Sequence, residues 1–310
     1  MSDDQFAAAL EKVDAAQQEY GQQIGLRDGR TPFASESLPS AQVSVRVNQD
    51  LLKEVASHFI NRSGHVSITD EPGSGKSHFR DLVYDSLQSG GASDDFAVAR
   101  IREIADITTR RLYVRVLDEL QEADAVDVPD TYPHATDDVL SVLEDVSDQL
   151  EAEGMCCIVQ IDQLEDVASN TRTFRELLSG LQAIGDLGDG EPTFLLFLFG
   201  TPRASERLEE LRETLATRFI AKDRELERFT YPETAELVGR WLSWARGEEY
   251  DDGYPIDPFT SGAVEAIVER SDGTPRSTRQ ECFHAFRAGV EQYADGDGVE
   301  ITAETIRTYA

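Results

Sequence analysis

Residues 68–79 read Ile-Thr-Asp-Glu-Pro-Gly-Ser-Gly-Lys-Ser-His-Phe, and no other stretch restricts the fold of this chain so tightly. Ahead of it, His65, Val66, Ser67 and Ile68 spell a short buried strand. Behind it, Phe79, Leu82, Val83 and Leu87 recur at helical spacing. A strand, a tight glycine-rich turn and a helix opening on Gly75, Lys76 and Ser77 are the parts of a phosphate-binding loop. The turn formed by Glu71, Pro72, Gly73, Ser74, Gly75, Lys76, Ser77 and His78 is expected to wrap phosphates with its backbone N–H groups, which all of these but Pro72 carry, at the positive end of the helix. Lys76 then reaches the β- and γ-oxygens, and the Ser77 hydroxyl ligates Mg²⁺. The first glycine of the pattern is replaced by Asp70. Asp tolerates left-handed backbone, so the turn is expected to survive, with the carboxylate weakening phosphate binding. The plainer alternative is a Gly/Ser turn that binds nothing.

Apolar runs elsewhere are short and alternate with amphipathic stretches. Phe96–Ile101, Cys156–Ile161 and Thr193–Phe199 read as strands. Helices are marked by Tyr113, Val116, Leu117 and Leu120, and then by Val139, Val142, Leu143, Val146 and Leu150, ending at Gly154. This alternation implies an α/β fold with a parallel sheet buried on both faces. Adjacent Cys156 and Cys157 should point to opposite faces of their strand as small core residues; with Cys282 they show no metal spacing. From Pro232 the strand signal disappears. Leu237, Val238, Trp241 and Leu242, then Val264, Ile267 and Val268, then Phe283, Phe286, Val290 and Tyr293 mark helices. At the other end, residues 5–20 carry Phe6, Leu10 and Val13 on one helical stripe. Residues 25–40 hold Gly29, Pro32 and Pro39 and read as a linker, and a helix near Gln49–Ile60 shows Leu51, Leu52, Val55 and Phe59 on one face. The expected organisation is an N-terminal helical arm and linker over 1–45, a nucleotide-binding domain over 46–230, and an all-helical domain over 231–310.

Composition sets outer bounds. The chain has 310 residues and is 40% hydrophobic, with no apolar run near the roughly 20 residues that span a bilayer. The acidic start Met1-Ser2-Asp3-Asp4 has none of the features of a signal peptide, so a cytoplasmic protein is expected. The formal charge is −31, and Lys occurs only at positions 12, 53, 76 and 222. Such an acidic, Lys-poor composition, spread along the whole chain, resembles that of proteins from salt-in halophiles. Molar salt shortens the Debye length to roughly 3 Å and screens the self-repulsion. A surface that repels nucleic acid or binds a basic partner is the competing reading. The charge therefore argues neither for nor against DNA as a partner.

The second half of a nucleotide site lies further along. Ile158–Ile161 is an apolar run ending in Asp162, and in phosphate-loop NTPases the strand beside the loop delivers an Asp that holds Mg²⁺. The next residue is usually a Glu that orients water. Here it is Gln163, with Glu165 two positions on, and either could act on water. Thr201 follows the most apolar strand, where it can reach phosphate or simply cap a helix. Arg218 ends the next helix, as a dipole partner or as a functional finger; Arg212 is its rival. Arg276 opens the last amphipathic helix, where a cation is unfavourable on dipole grounds, which favours a phosphate-directed role.

These stations, in this order, resemble the AAA+ family over roughly residues 45–295, and within it the archaeal origin-recognition/initiator group. The resemblance implies a sheet in the order 5-1-4-3-2 with a C-terminal helical lid, Thr201 as sensor 1, Arg218 as the arginine finger and Arg276 as sensor 2. It implies ATP and Mg²⁺ as cofactors and a homo-oligomer formed through Arg218. The activity it implies is an ATPase that couples ATP binding, with slow hydrolysis, to assembly on or regulation of DNA, directly or through a partner protein, as in replication initiation or transposition. The winged-helix domain of initiators is expected to be missing after the lid. The alternatives are a signalling switch of the STAND type that does not act on DNA, and a subunit that binds nucleotide for structure only; retained Lys76, Ser77 and Asp162 argue against the latter.

Overall fold

The most apolar segment, Phe194–Gly200, is a strand buried along its whole length, and the sheet is laid out around it. The computed structural model describes residues 3–89, 95–188 and 191–309. In chain order the elements are α1 (Asp3–Gln23), α2 (Gln49–Ile60), β1 (His65–Thr69), α3 (Lys76–Gln88) and β2 (Phe96–Ile101). Next come α4 (Thr109–Glu122), α5 (Thr136–Glu153), β3 (Cys156–Ile161), α6 (Glu165–Ala168), α7 (Thr171–Gly185) and β4 (Phe194–Gly200). The rest are α8 (Pro202–Leu211), α9 (Glu213–Ala216), β5 (Phe219–Arg224), α10 (Tyr231–Arg246), α11 (Ser261–Ser271), α12 (Pro275–Ala294) and α13 (Ala303–Tyr309). They form two units, one of Asn48–Leu226 and one of Met1–Val47 with Glu227–Ala310.

In the first unit the strands pair in parallel in the order β2-β3-β4-β1-β5, the expected order read from the other edge. Side chains alternate between two cores. Leu196 and Leu198 of β4 join Val159, Leu117, Leu143 and Leu177 on one face. Leu195, Phe197 and Phe199 join Val66, Ile68, Phe59, Phe79 and Val83 on the other. Cys156 and Cys157 fall into opposite cores as expected. Each fully buried Leu or Phe contributes roughly 1.5–3 kcal/mol, which is why so apolar a strand sits at the centre. Leu82 is exposed at the margin of α3.

The second unit is helical, and it contains the segment expected as an arm and linker. The anticipated stripe on α1 is not its packing face. Leu10 and Val13 are exposed, and Phe6 lies outside the residues whose side chains are described. The helix docks one end instead. Tyr20 is fully buried with its ring 5.7 Å from Phe286 and 5.6 Å from Tyr293, and its hydroxyl donates to the Val299 carbonyl at 2.8 Å. The Gly/Pro-rich stretch likewise buries Phe33, 5.6 Å from Trp241 and 5.8 Å from Phe259. One aromatic every dozen residues is too sparse a pattern to announce a core in sequence. Tyr20→Ala is expected to cost about 3–5 kcal/mol, as large-to-small aromatic changes do, and Tyr20→Phe about 1 kcal/mol for one hydrogen bond. Denaturant unfolding in molar KCl measures both; an Ala variant as stable as its parent would show that the N-terminal segment is not core.

Candidate functional site

β1 ends at Thr69 and the chain turns through residues 70–75 into α3. Gly73 (φ +91°) and Gly75 (φ +101°) adopt backbone that a side chain would strain, and Gly75 caps α3. Asp70 needs no such freedom: it is not among the positive-φ residues. Its buried carboxylate accepts the N–H of Glu71 at 2.7 Å and that of Leu226 at 3.1 Å. The expected left-handed Asp70 is thus corrected. The side chain is a brace that ties the loop to the segment after β5.

Lys76 is buried, and its Nζ donates to the carbonyls of Asp70 at 2.6 Å and Glu71 at 2.9 Å. Burial lowers its pKa, while the carboxylates of Glu165, Asp70, Asp162 and Glu71 oppose that shift. Ser77 Oγ donates to Asp162 Oδ2 at 3.0 Å, bringing together two residues far apart in sequence. Asp162 Oδ1 accepts the Gln163 N–H at 2.9 Å. Glu71, Pro72, Ser77 and His78 are exposed, whereas Ser74 is buried.

Two atoms in this cluster are buried without a hydrogen-bond partner, Ser74 Oγ and Glu165 Oε2. Gln163 differs from Glu165. It is exposed, with φ +60°, whereas Glu165 opens α6 and turns a carboxylate oxygen inward. Thr201 caps α8, its hydroxyl accepting the Ala204 N–H at 3.4 Å. The glycine-lined turn, the orphaned oxygens and the Ser77–Asp162 pair fit a nucleotide with a divalent cation. Among the described residues no group of His, Cys, Asp and Glu side chains could hold a metal by itself.

The arginines lie elsewhere. Arg218 stands where β5 begins, its carbonyl accepting the His65 N–H at 3.1 Å at the start of β1. That is the end of the sheet opposite the phosphate loop. Its guanidinium pairs with Asp186 and reaches the Gly185 carbonyl at 3.4 Å, at the C-terminus of α7. Arg212 bonds to Ser179. Arg276 is exposed as the second residue of α12. The turn before it is fixed by Gly273 (φ +65°), whose carbonyl accepts the Phe229 N–H at 2.8 Å. The sequence reading missed Arg80, which donates to Asp162 Oδ2 at 2.5 Å; its only signal is a position four residues after Lys76 on one helix. Replacing the brace tests this geometry: Asp70→Gly is expected to cost about 1–3 kcal/mol by leaving a buried N–H unpaired, without tightening nucleotide binding. Calorimetric unfolding and equilibrium binding check the two parts, and a gain in affinity would restore a repulsive role for Asp70.

No family model matches the chain, and no curated protein matches it in sequence. Solved structures do match it in fold. The ORC2 protein of Aeropyrum pernix in its ADPNP–ADP complexes aligns with TM-score 0.56 and 14% identity over 92% of this chain and 72% of that one. Its ADP form aligns with TM-score 0.56 and 15% identity over 89% and 70%. The Walker-type ATPase PABY2304 of Pyrococcus abyssi aligns with TM-score 0.50 and 15% identity over 83% and 72%. Together with the strand order and the strand–loop–helix, the likeness establishes the architecture: this chain is built on the AAA+ fold, in the form that the A. pernix ORC2 protein displays.

Proposed function

We propose that the chain is an ATP-dependent AAA+ ATPase that couples nucleotide binding and slow hydrolysis to assembly on or regulation of DNA, as in replication initiation. The observation that carries the hydrolytic part is Glu165 Oε2, a buried carboxylate oxygen without a hydrogen-bond partner, on a residue whose charge acts on Lys76 together with that of Asp162. The DNA part rests on the likeness to an ORC protein.

Bound MgATP supplies the phosphoryl group and the metal charge that offsets its oxygens. The chain supplies position. The turn from Glu71 to His78 offers main-chain N–H groups to the phosphates. Lys76 Nζ, now on two carbonyls, carries the charge that offsets β/γ repulsion. Ser77 and Asp162 would hold the cation, and Glu165 would take the proton from the attacking water. Exposed Gln163, an amide, can orient water but cannot accept its proton. Thr201, at the C-terminal end of β4, keeps its cap and presents its hydroxyl as sensor 1. Arg276 is assigned the phosphate-directed cation of the helical unit. Arg218 stands at the sheet end remote from its own loop, so the nucleotide it serves is a neighbouring copy's, and the working form is a homo-oligomer.

Lys76→Ala is expected to abolish ATP binding, and Glu165→Gln to retain binding while slowing turnover by about 10² or more, the scale of general-base contributions. ATPase and equilibrium binding in molar KCl read both. Unchanged turnover in Glu165→Gln, with loss in Gln163→Ala, reverses the two roles. The same assay with duplex DNA reads the partner: no stimulation and no salt-dependent retention would support the signalling switch instead. Arg218→Ala is expected to be inactive alone and partly rescued by mixing with Lys76→Ala, because a mixed interface pairs an intact loop with an intact finger, and such fingers contribute roughly 10³–10⁵ in rate. Absence of rescue, with specific activity independent of concentration, would leave Arg218 as the helix-end partner of Asp186.

A further inference from the structure

The carboxylate assigned to the divalent cation already holds a cation of the chain's own. Asp162 Oδ2 accepts Arg80 Nη1 at 2.5 Å and Ser77 Oγ at 3.0 Å, while Oδ1 is taken by the Gln163 N–H at 2.9 Å. Both partners of the ion pair are largely buried, with side-chain exposures of 13% for Arg80 and 11% for Asp162. This is a charge-assisted contact shielded from water rather than a screened surface pair.

Arg80 is also fastened from behind. Its Nε and Nη2 donate to Asp81 Oδ1 at 3.0 and 2.7 Å. Arg100 binds the same Asp81 oxygen and lies 4.8 Å over the Tyr84 ring. Burial and the neighbouring Arg80 charge push Arg100 down to about 10. Two guanidinium groups therefore share two carboxylates. Neither Arg80 nor Asp81 has a part in the phosphate-loop pattern.

We propose that Arg80 is a tethered competitor for the Mg²⁺ position, a positioning residue that sets how strongly magnesium strengthens nucleotide binding. A divalent cation entering between Ser77 and Asp162 meets an oxygen already neutralised at 2.5 Å, and it gains that oxygen only by displacing Nη1. Arg80 keeps its two bonds to Asp81 when it lets go, so the exchange needs no unfolding and reverses when the metal leaves. Magnesium binding is then coupled to a shift of the α3 side chain, and the gain from the metal is reduced by the lost ion pair. This inference rests on the nucleotide site described above.

The test is equilibrium binding of a fluorescent ADP analogue in molar KCl, with EDTA and with saturating Mg²⁺, for the parent, Arg80→Ala and Arg80→Gln. The readout is the ratio of the two affinities, which requires no turnover. In both variants this ratio is expected to rise by on the order of ten-fold, the scale on which partners of metal ligands change metal affinity, with affinity in EDTA unchanged. Arg80→Gln keeps a hydrogen-bonding stem without the charge and serves if the Ala variant is poorly folded by thermal unfolding. An unchanged or smaller ratio overturns the proposal. So does a fall in affinity in EDTA, which would make Arg80 a phosphate ligand. A parent that binds no nucleotide in either condition would defeat the site itself, a result distinct from a parent that binds and variants that match it.

Discussion

The pairing of β1 with β4 on one side and β5 on the other is the constraint on which the site depends. A strand hydrogen-bonded along both edges and covered on both faces cannot shift register without turning Val66 and Ile68 out of their core. Its C-terminal end is therefore a fixed point. The loop leaving it, the Asp162 that follows β3 and the Thr201 that follows β4 are brought to one end of the sheet because all three strands run the same way. The general rule for open α/β sheets, that ligands meet the carboxyl ends of the strands, appears here as a consequence of that pairing.

Local features were legible in the sequence, and remote ones were not. The strand–loop–helix around Gly73, Gly75 and Lys76 is written in consecutive residues, as is β4, whose run of Leu and Phe has no other stable home. β5 is different. Phe219–Arg224 is an edge strand with Ile220 exposed and Lys222 half-buried, so it lacks the apolar run that marked β3 and β4. The role of Asp70 depends on Leu226, and that of Arg80 on Asp162. Neither partner lies within the window over which periodicity can be read. The stripe on α1 misled because Leu10 and Val13 recur at helical spacing while the packing is done by Tyr20, a single aromatic one turn from the end of the helix.

Charge organises the first unit at a second level. A chain with formal charge −31 has carboxylates to spare, yet three of those around the loop are held by specific partners. Asp70 accepts main-chain N–H groups, Asp81 joins two guanidinium groups, and Asp162 holds Ser77 and Arg80. Glu165 Oε2 stands apart from them, buried and without a hydrogen-bond partner. Fixing acidic groups by specific partners limits how freely their charges act on the loop.

The hydroxyl of Tyr20 and the carbonyl of Val299 meet across a sequence separation of 279 residues. During synthesis the segment bearing Tyr20 and Phe33 leaves the ribosome before residues 48–226, but the helices that bury those rings are made after them. Residues 48–226 form a sheet whose own contacts are complete before then. The order of assembly is thereby inverted relative to the order of translation: residues 48–226 can fold while the segment before them waits for the segment after them. The small number of large apolar residues in the first forty positions suits a segment that must stay soluble through that interval.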